Sequence, residues 1–376
     1  MTHAEELYNA MLLSLLGYYH LAEVRRLYDR LGSATAVIEH AADIRKVVPD
    51  ASDRLVQLLA KVDSHRARVD NNLQYMQQHD IKPLLLSDAD YPQRLKTCVD
   101  APLMLYFKGT ANLNAHRVIS IVGTRHCTRY GQDVIQQFVS DLRALCPETL
   151  VVSGLAYGVD ICAHHQSLQA GFDTVGVLAH GLDTLYPRAH QPVAERMIKQ
   201  GGLLTEFMTH TNADKVNFVR RNRIVAGMAD ATILVESAEH GGGLITCGIA
   251  NDYNRDVFAF PGRVNDEYSK GCNNLIRSNG AMLITSAAQF VNAMSWENDH
   301  ALQVAKQQGI ERDLFPDLSP KEEKVVEALR SQNDQQINTL SIQTNIAIGE
   351  LSAHLFTLEM KGMVKAYAGG SYHLIG

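Results

Sequence analysis

The segment Phe218-Val219-Arg220-Arg221-Asn222-Arg223-Ile224-Val225-Ala226-Gly227 places three arginines within four positions of a 376-residue chain whose formal net charge is -6. A guanidinium fork can bond two phosphate oxygens at once, and the spacing predicts that Arg220 and Arg223 share one face of a helix that begins here. A helix start already carries partial positive charge, so cations clustered there favour a bound anion. The competing reading pairs individual arginines with acids such as Glu206 or Asp230. Of the three, Arg221 and Arg223 are the expected phosphate ligands, ahead of Arg220.

Other segments carry groups of the same kind. Gly123-Thr124-Arg125 supplies close backbone approach, a hydroxyl and a fixed charge, the parts of a phosphate cradle. Ser153-Gly154-Leu155-Ala156-Tyr157-Gly158-Val159-Asp160 has two glycines four apart. It matches neither the G-x-G-x-x-G of a dinucleotide site nor the G-K-[ST] of a P-loop, which makes NAD or ATP a minor reading. Asp160 either caps the following helix or works with His164, one turn on, as acid and base, and capping is the commoner role. The stretch 181–188 brings Tyr186 and Arg188. Glu236 with Gly241-Gly242-Gly243-Leu244-Ile245-Thr246 forms a glycine-rich turn that leaves the amides of Gly242 and Gly243 open to an anion. Phe260-Pro261-Gly262-Arg263 to Gly271-Cys272-Asn273-Asn274-Leu275-Ile276 adds Arg263, Lys270 and Asn273. Ser153 does not stand in a G-x-S-x-G elbow. The set describes a polar cleft ringed by cations that needs no catalytic residue.

Such loops need a frame. Between residues 80 and 295, β-rich runs at 118–122, 150–152, 174–178, 203–205, 232–235, 257–260 and 282–284 alternate with helical stretches, which predicts a parallel sheet covered by helices on both faces. Ligands of such sheets bind at the carboxyl ends of the strands. Residues 1–75 show helical spacing (Leu12, Leu13 and Leu16, then Val24, Leu27 and Leu31) broken at Gly17 and Gly32, and predict a small helical domain. A polar linker spans 296–317. Ser319-Pro320-Lys321-Glu322 then announces a new helix with a capping box. Three helices and a closing hairpin predict a winged helix over 318–376. From Leu318 onward there are five Lys or Arg against six Asp or Glu, a balance that favours protein contact or regulation over reading duplex DNA.

Composition sets the class: 46% hydrophobic and 20% charged residues describe a globular protein. No apolar run approaches the ~20 residues of a membrane span, and the start lacks a signal peptide, so a cytoplasmic location without membrane association is expected. The six cysteines include no C-x-x-C pair and read as reduced thiols. Neighbouring positions in Cys162-Ala163-His164-His165 point apart on a helix. Neither metal nor cofactor is expected.

Taken in order, Val122-Gly123-Thr124-Arg125, the 153–160 segment, Ala163-His164, Gly181-Leu182-Asp183 with Tyr186-Pro187, Phe218 with 221–227, Phe260-Pro261-Gly262 and 271–276 closely resemble the DNA-processing protein A family (DprA, also called Smf) of bacterial natural transformation. The resemblance covers residues 80–295. It implies an extended Rossmann-like α/β domain there, flanked by a small SAM-like helical domain and a winged-helix domain. It implies that the protein binds and shields incoming single-stranded DNA and loads the recombinase RecA, as a homodimer and without turnover. The family's G-S/T-R motif falls on Gly123, Thr124 and Arg125, and its R-N-R segment on Arg221, Asn222 and Arg223, leaving Arg220 as an additional cation. Tyr157, Tyr186 and Phe218 are candidate stacking platforms for bases, or core residues. The family's dimer and RecA contacts would lie within 244–288. His240-Gly241-Gly242-Gly243 departs from the serine-glycine that the family carries at that turn.

Two rivals stand beside it. One is the related Rossmann-like family that cleaves nucleoside monophosphates, which resembles P-G-G-x-G-T followed closely by a catalytic glutamate; residues 241–248 offer no acid. The other is a regulatory protein acting through the winged helix.

Overall fold

Short β-branched and apolar runs pair into one nine-stranded sheet. Its strands are β1 (Lys82–Leu85), β2 (Met104–Gly109), β3 (Arg117–Val122), β4 (Thr149–Ser153), β5 (Thr174–Val177), β6 (Gly201–Thr205), β7 (Ala231–Leu234), β8 (Asp256–Ala259) and β9 (Met282–Leu283). The computed structural model describes residues 2–296, 318–361, 363–367 and 371–374. The chain divides into two compact units, 1–300 and 301–376.

Strand order is β1-β2-β6-β5-β4-β3-β7-β8-β9, with β1 and β2 antiparallel additions and the rest parallel. The expected runs correspond to β3 through β9. The antiparallel pair was not legible, because β1 is four residues long and contains Pro83. The order reverses at β3, which lies between β4 and β7, so the loops leaving β3 and β7 part and open a crevice at their carboxyl ends.

Both faces of the sheet are covered, as the strand sequences require. Val118 and Val122 of β3 enter one core with Leu150 and Val152 of β4, while Ile119 and Ile121 enter the other with Val151, Phe138 and Phe258. This period-two alternation of residues that are apolar on both sides belongs to a sheet buried twice. The first core continues without a break into the N-terminal helices, among them His3–Leu16 and Leu21–Leu31, through Leu12, Leu13, Val24 and Leu84. Trp296, at the head of the expected linker, packs edge-on against Phe290 at 5.3 Å. Residues 297–317 of that linker lie outside the described residues.

In the second unit Ser319 caps the helix Pro320–Ser331: its hydroxyl accepts from the Glu322 amide at 3.3 Å, and the Glu322 carboxylate accepts from the Ser319 amide at 2.8 Å. Helices Ile337–Thr344 and Ile348–Met360 follow, with β10 (Gln335–Gln336), β11 (Val364–Tyr367) and β12 (Ser371–Leu374) in the antiparallel order β10-β12-β11. Val325, Leu329, Leu340, Leu351 and Leu355 form their core. This is a winged helix; Gly369-Gly370 of its expected hairpin lies outside the described residues.

Candidate nucleic-acid interface

The loops after β3, β4 and β7 and the helix Lys215–Gly227 enclose a cleft of about 940 Å³ at the strand-order reversal. The helix begins five residues before Arg220 and not among the arginines. Asp214, in extended backbone, accepts the Asn217 amide on Oδ1 at 2.8 Å and fixes the start there. An Asx cap is favoured over a run of side chains that offers none. The arginines therefore sit mid-helix, Arg220 and Arg223 on one face as their spacing predicts and Arg221 on another, so no common phosphate at a helix terminus unites them.

The three arginines divide between two environments. Arg221 is buried; its Nη1 donates to the Gly154 carbonyl at 2.5 Å and to the Val177 carbonyl, at the ends of β4 and β5. Burial lowers its pKa to about 10, opposed by the Asp160 carboxylate and assisted by the charge of Arg125, so it is still a cation at neutral pH. Arg220 and Arg223 both turn to Glu206. Arg220 donates through Nε at 3.1 Å and Nη2 at 2.8 Å, and Arg223 through Nη2 at 2.5 Å. Arg223, expected as a phosphate ligand, is buried outside the cleft lining. A desolvated carboxylate needs its counter-charges close, and Glu206 takes two of the three arginines.

Gly154 shows how tight the Arg221 corner is. A Cβ on it would lie 2.3 Å from Arg221 Nη2 and 2.5 Å from Asp160 Oδ2. Asp160 Oδ2 in turn accepts from the amides of Gly154 at 3.1 Å and Ala156 at 3.4 Å, and burial pushes this carboxyl above its usual pKa. Asp160 holds the loop rather than His164. The His164 ring is buried and bonds Thr174 Oγ1 through Nδ1 at 2.7 Å.

The Gly123-Thr124-Arg125 loop is fixed from behind. Thr124 N donates to the Glu236 carbonyl at 2.7 Å, and the Glu236 carboxylate receives the Thr128 amide at 2.8 Å and the Thr128 hydroxyl at 2.6 Å. Thr128 caps the helix Arg129–Leu145. With its base clamped, Arg125 projects into the cleft as an exposed cation 4.9 Å from the centroid of Phe218. Tyr186, half exposed, meets the same Phe218 ring edge-on at 5.9 Å. Opposite, the helix Gly242–Asp252 starts at Gly241 without a side-chain cap, so its first amides face the cleft. Gly243 must lack a side chain, since a Cβ would meet Gly123 Cα at 3.0 Å.

The structure thus brings Gly123, Thr124, Arg125, Gly154, Tyr186, Arg221, Asn222, Gly242 and Gly243 together and leaves other expected ligands outside this lining. The Ser153 hydroxyl is buried and donates to the Ile121 carbonyl at 2.6 Å. Asn273 spends its amide on Gly262, at 3.2 and 3.0 Å. Arg188 and Lys270 are exposed elsewhere, and Tyr157 packs edge-on against His190 at 4.9 Å. Lys215, His126 and Tyr268 line the cleft and were not anticipated. Lys215 was detectable: it directly follows the Asx cap. Apolar Val219 and Ile245, each about half exposed, complete a surface of cations, open amides and flat apolar groups.

Residues 82–295 match the family model described as DNA recombination-mediator protein A, and residues 313–370 match that of the DprA winged helix domain. A DNA processing protein DprA from Streptococcus pneumoniae is 37% identical over 199 residues, which are 53% of this chain and 69% of the relative. The X-ray structure of the Streptococcus pneumoniae protein aligns with TM-score 0.59 at 32% identity, covering 67% of this chain and 86% of that one. DNA processing protein A from Helicobacter pylori, solved in a study of its single-stranded DNA binding mode, aligns with TM-score 0.51 at 26% identity over 58% of this chain and 96% of its own.

Proposed function

The chain belongs to the DNA recombination-mediator protein A family, and on that premise we propose that its cleft grips the backbone of single-stranded DNA, shields the strand and passes it to RecA, without catalysing a reaction. The observation that carries this reading is Arg125 poised over Phe218 beside Tyr186. An exposed cation next to the half-exposed Tyr186 ring and the partly exposed Phe218 ring suits alternating phosphates and unstacked bases, whereas a duplex hides its bases. Arg221 acts from below as a fixed desolvated charge, and the amides of Gly242 and Gly243 serve the next phosphate. Two of the three carboxylates in the lining are committed to structure, which supports a grip over nucleotide cleavage: Asp160 holds loop amides and Asp214 caps a helix, while Glu267 is exposed.

The working division is a helical SAM-like domain at 1–75, the sheet domain at 80–295 and a winged helix at 318–376, acting as a cytoplasmic homodimer. No described helix is long and apolar enough to cross a membrane. On the winged helix, Phe356 and Met360 lie four apart on helix Ile348–Met360 and are 64% and 75% exposed, which favours protein contact there.

The deciding experiment is a gel-shift comparison of single-stranded and duplex DNA across a salt series. Tighter binding of the single strand, with a steep salt dependence, is expected. Preference for duplex would move the active surface to the winged helix, and release of free base from a nucleoside monophosphate would replace the grip with an enzyme.

A further inference from the structure

A second cavity, of about 600 Å³, lies between the N-terminal helices and the sheet domain, on the other side of helix Lys215–Gly227 from the cleft. Its walls include Leu15, Leu103, Met104 and Met208. The Arg220 guanidinium lies 4.8 Å from the Tyr18 centroid and 5.4 Å from that of Phe207, so aromatic surface and cation share one wall. Tyr106, from β2, also lines it and carries a buried hydroxyl that has no hydrogen-bond partner among the described residues.

The rim is basic. Lys61 and Arg68 flank His65 at spacings of four and three; burial and then these two charges lower the His65 pKa, so the ring meets an anion as a neutral donor between two cations. Lys61 is exposed and forms no ion pair among the described residues. Arg68 is held by the Thr209 carbonyl at 3.4 Å and Thr211 Oγ1 at 3.2 Å, both neutral, so its charge stays uncompensated there. The acids that line the cavity are committed: Glu206 to Arg220 and Arg223, and Asp214 to its cap.

A ligand that fits must offer a flat, largely apolar body with polar edges and one anionic end. An acyl chain would match the walls and leave the Tyr106 hydroxyl unmet; an inorganic anion would match the rim and leave the interior empty. We propose that this cavity binds a nucleotide, its base between the apolar and aromatic walls and its phosphate on Lys61, His65 and Arg68. The nucleotide is either free or one unit of a bound strand. The site shares only Asp214 with the cleft lining and does not depend on the grip proposed there.

The test is calorimetric titration of the full chain with deoxyadenosine 5'-monophosphate, with deoxyadenosine, and with a thymidine oligonucleotide. Two variants probe the cavity: Lys61→Gln removes rim charge, and Leu58→Trp, at a partly buried lining position, obstructs the space without altering charge. Arg125→Ala reports on the cleft. Both cavity variants are expected to weaken the monophosphate about tenfold, with the unphosphorylated nucleoside weaker still and Arg125→Ala without effect. If the occupant belongs to a strand, both cavity variants weaken the oligonucleotide as well; if it is free, the oligonucleotide is unaffected. The proposal is overturned if neither cavity variant moves any ligand, if only Lys61→Gln does so, or if Arg125→Ala alone abolishes monophosphate binding.

Discussion

The guanidinium of Arg125 lies 4.9 Å from the centroid of the Phe218 ring. The pair joins the loop after β3 to the helix Lys215–Gly227, so one feature offers a phosphate ligand and a stacking face together. Arg125→Ala should weaken single-strand binding about tenfold and reduce its salt slope by about one phosphate contact. Phe218→Leu should cost about 1–3 kcal/mol of binding with the salt slope kept, because stacking is lost and charge is not. Fluorescence anisotropy over a salt series separates the two, and wild-type affinity in both variants would exclude the cleft as the strand's path.

Glu206 holds Arg220 and Arg223 together, which makes them structural. Glu206→Ala removes the counter-charge that two largely buried guanidiniums share, leaving Arg223 only the more weakly acting Asp100, and should cost about 3–5 kcal/mol of stability, read as a lowered urea midpoint. Arg223→Ala should likewise lower stability and leave the salt slope of DNA binding intact. A reduced slope with unchanged stability would return Arg223 to the phosphate.

Gly154 leaves space for the Arg221 guanidinium. In Gly154→Ala a methyl group enters the space between Arg221 and Asp160, and one of them must move. Single-strand affinity should fall by roughly tenfold, the worth of a charge-assisted contact, while circular dichroism remains that of the folded chain. Unaltered affinity would show that Arg221 contributes nothing to the site.

His164 sets an acid limit on stability. Burial, aided by the Arg221 charge, lowers its pKa to about 3. Above pH 6.5 the ring is neutral folded or unfolded, and its contribution is complete. As pH falls from 6.5 towards 3 only the unfolded chain takes up the proton, so stability drops by about 1.4 kcal/mol per pH unit. His180, also depressed by burial, adds in the same direction. Urea midpoints at pH 7 and pH 5 should therefore differ more in the wild type than in His164→Asn, and equal differences would contradict the assignment.

Local pattern announced much of this architecture. The strands β3 to β9 were visible because each is a short β-rich run closed by a glycine or polar loop, and the Ser319–Glu322 box because its partners are three residues apart. The loop residues of the cleft were legible for the same reason: strand ends in a parallel sheet converge on one edge, so Gly123 to Arg125 and Gly242 to Gly243 had to share a neighbourhood. The start of the arginine helix was missed although its signal was local, since Asp214 is an ordinary Asx cap.

Sequence alone determined that this chain carries a cation, Arg125, and open amides on the loops of one sheet edge, because strand periodicity and turn chemistry act over a few residues. It could not decide which cation meets a phosphate. Arg220, Arg221 and Arg223 are identical in type and adjacent in sequence, and what separates them is Glu206 at the end of β6 and the carbonyls of Gly154 and Val177. Those partners reach the arginines only when the sheet is assembled. Burial then assigns two of the guanidiniums to a carboxylate, sets the third beneath the cleft floor, and leaves Arg125 exposed to the cleft.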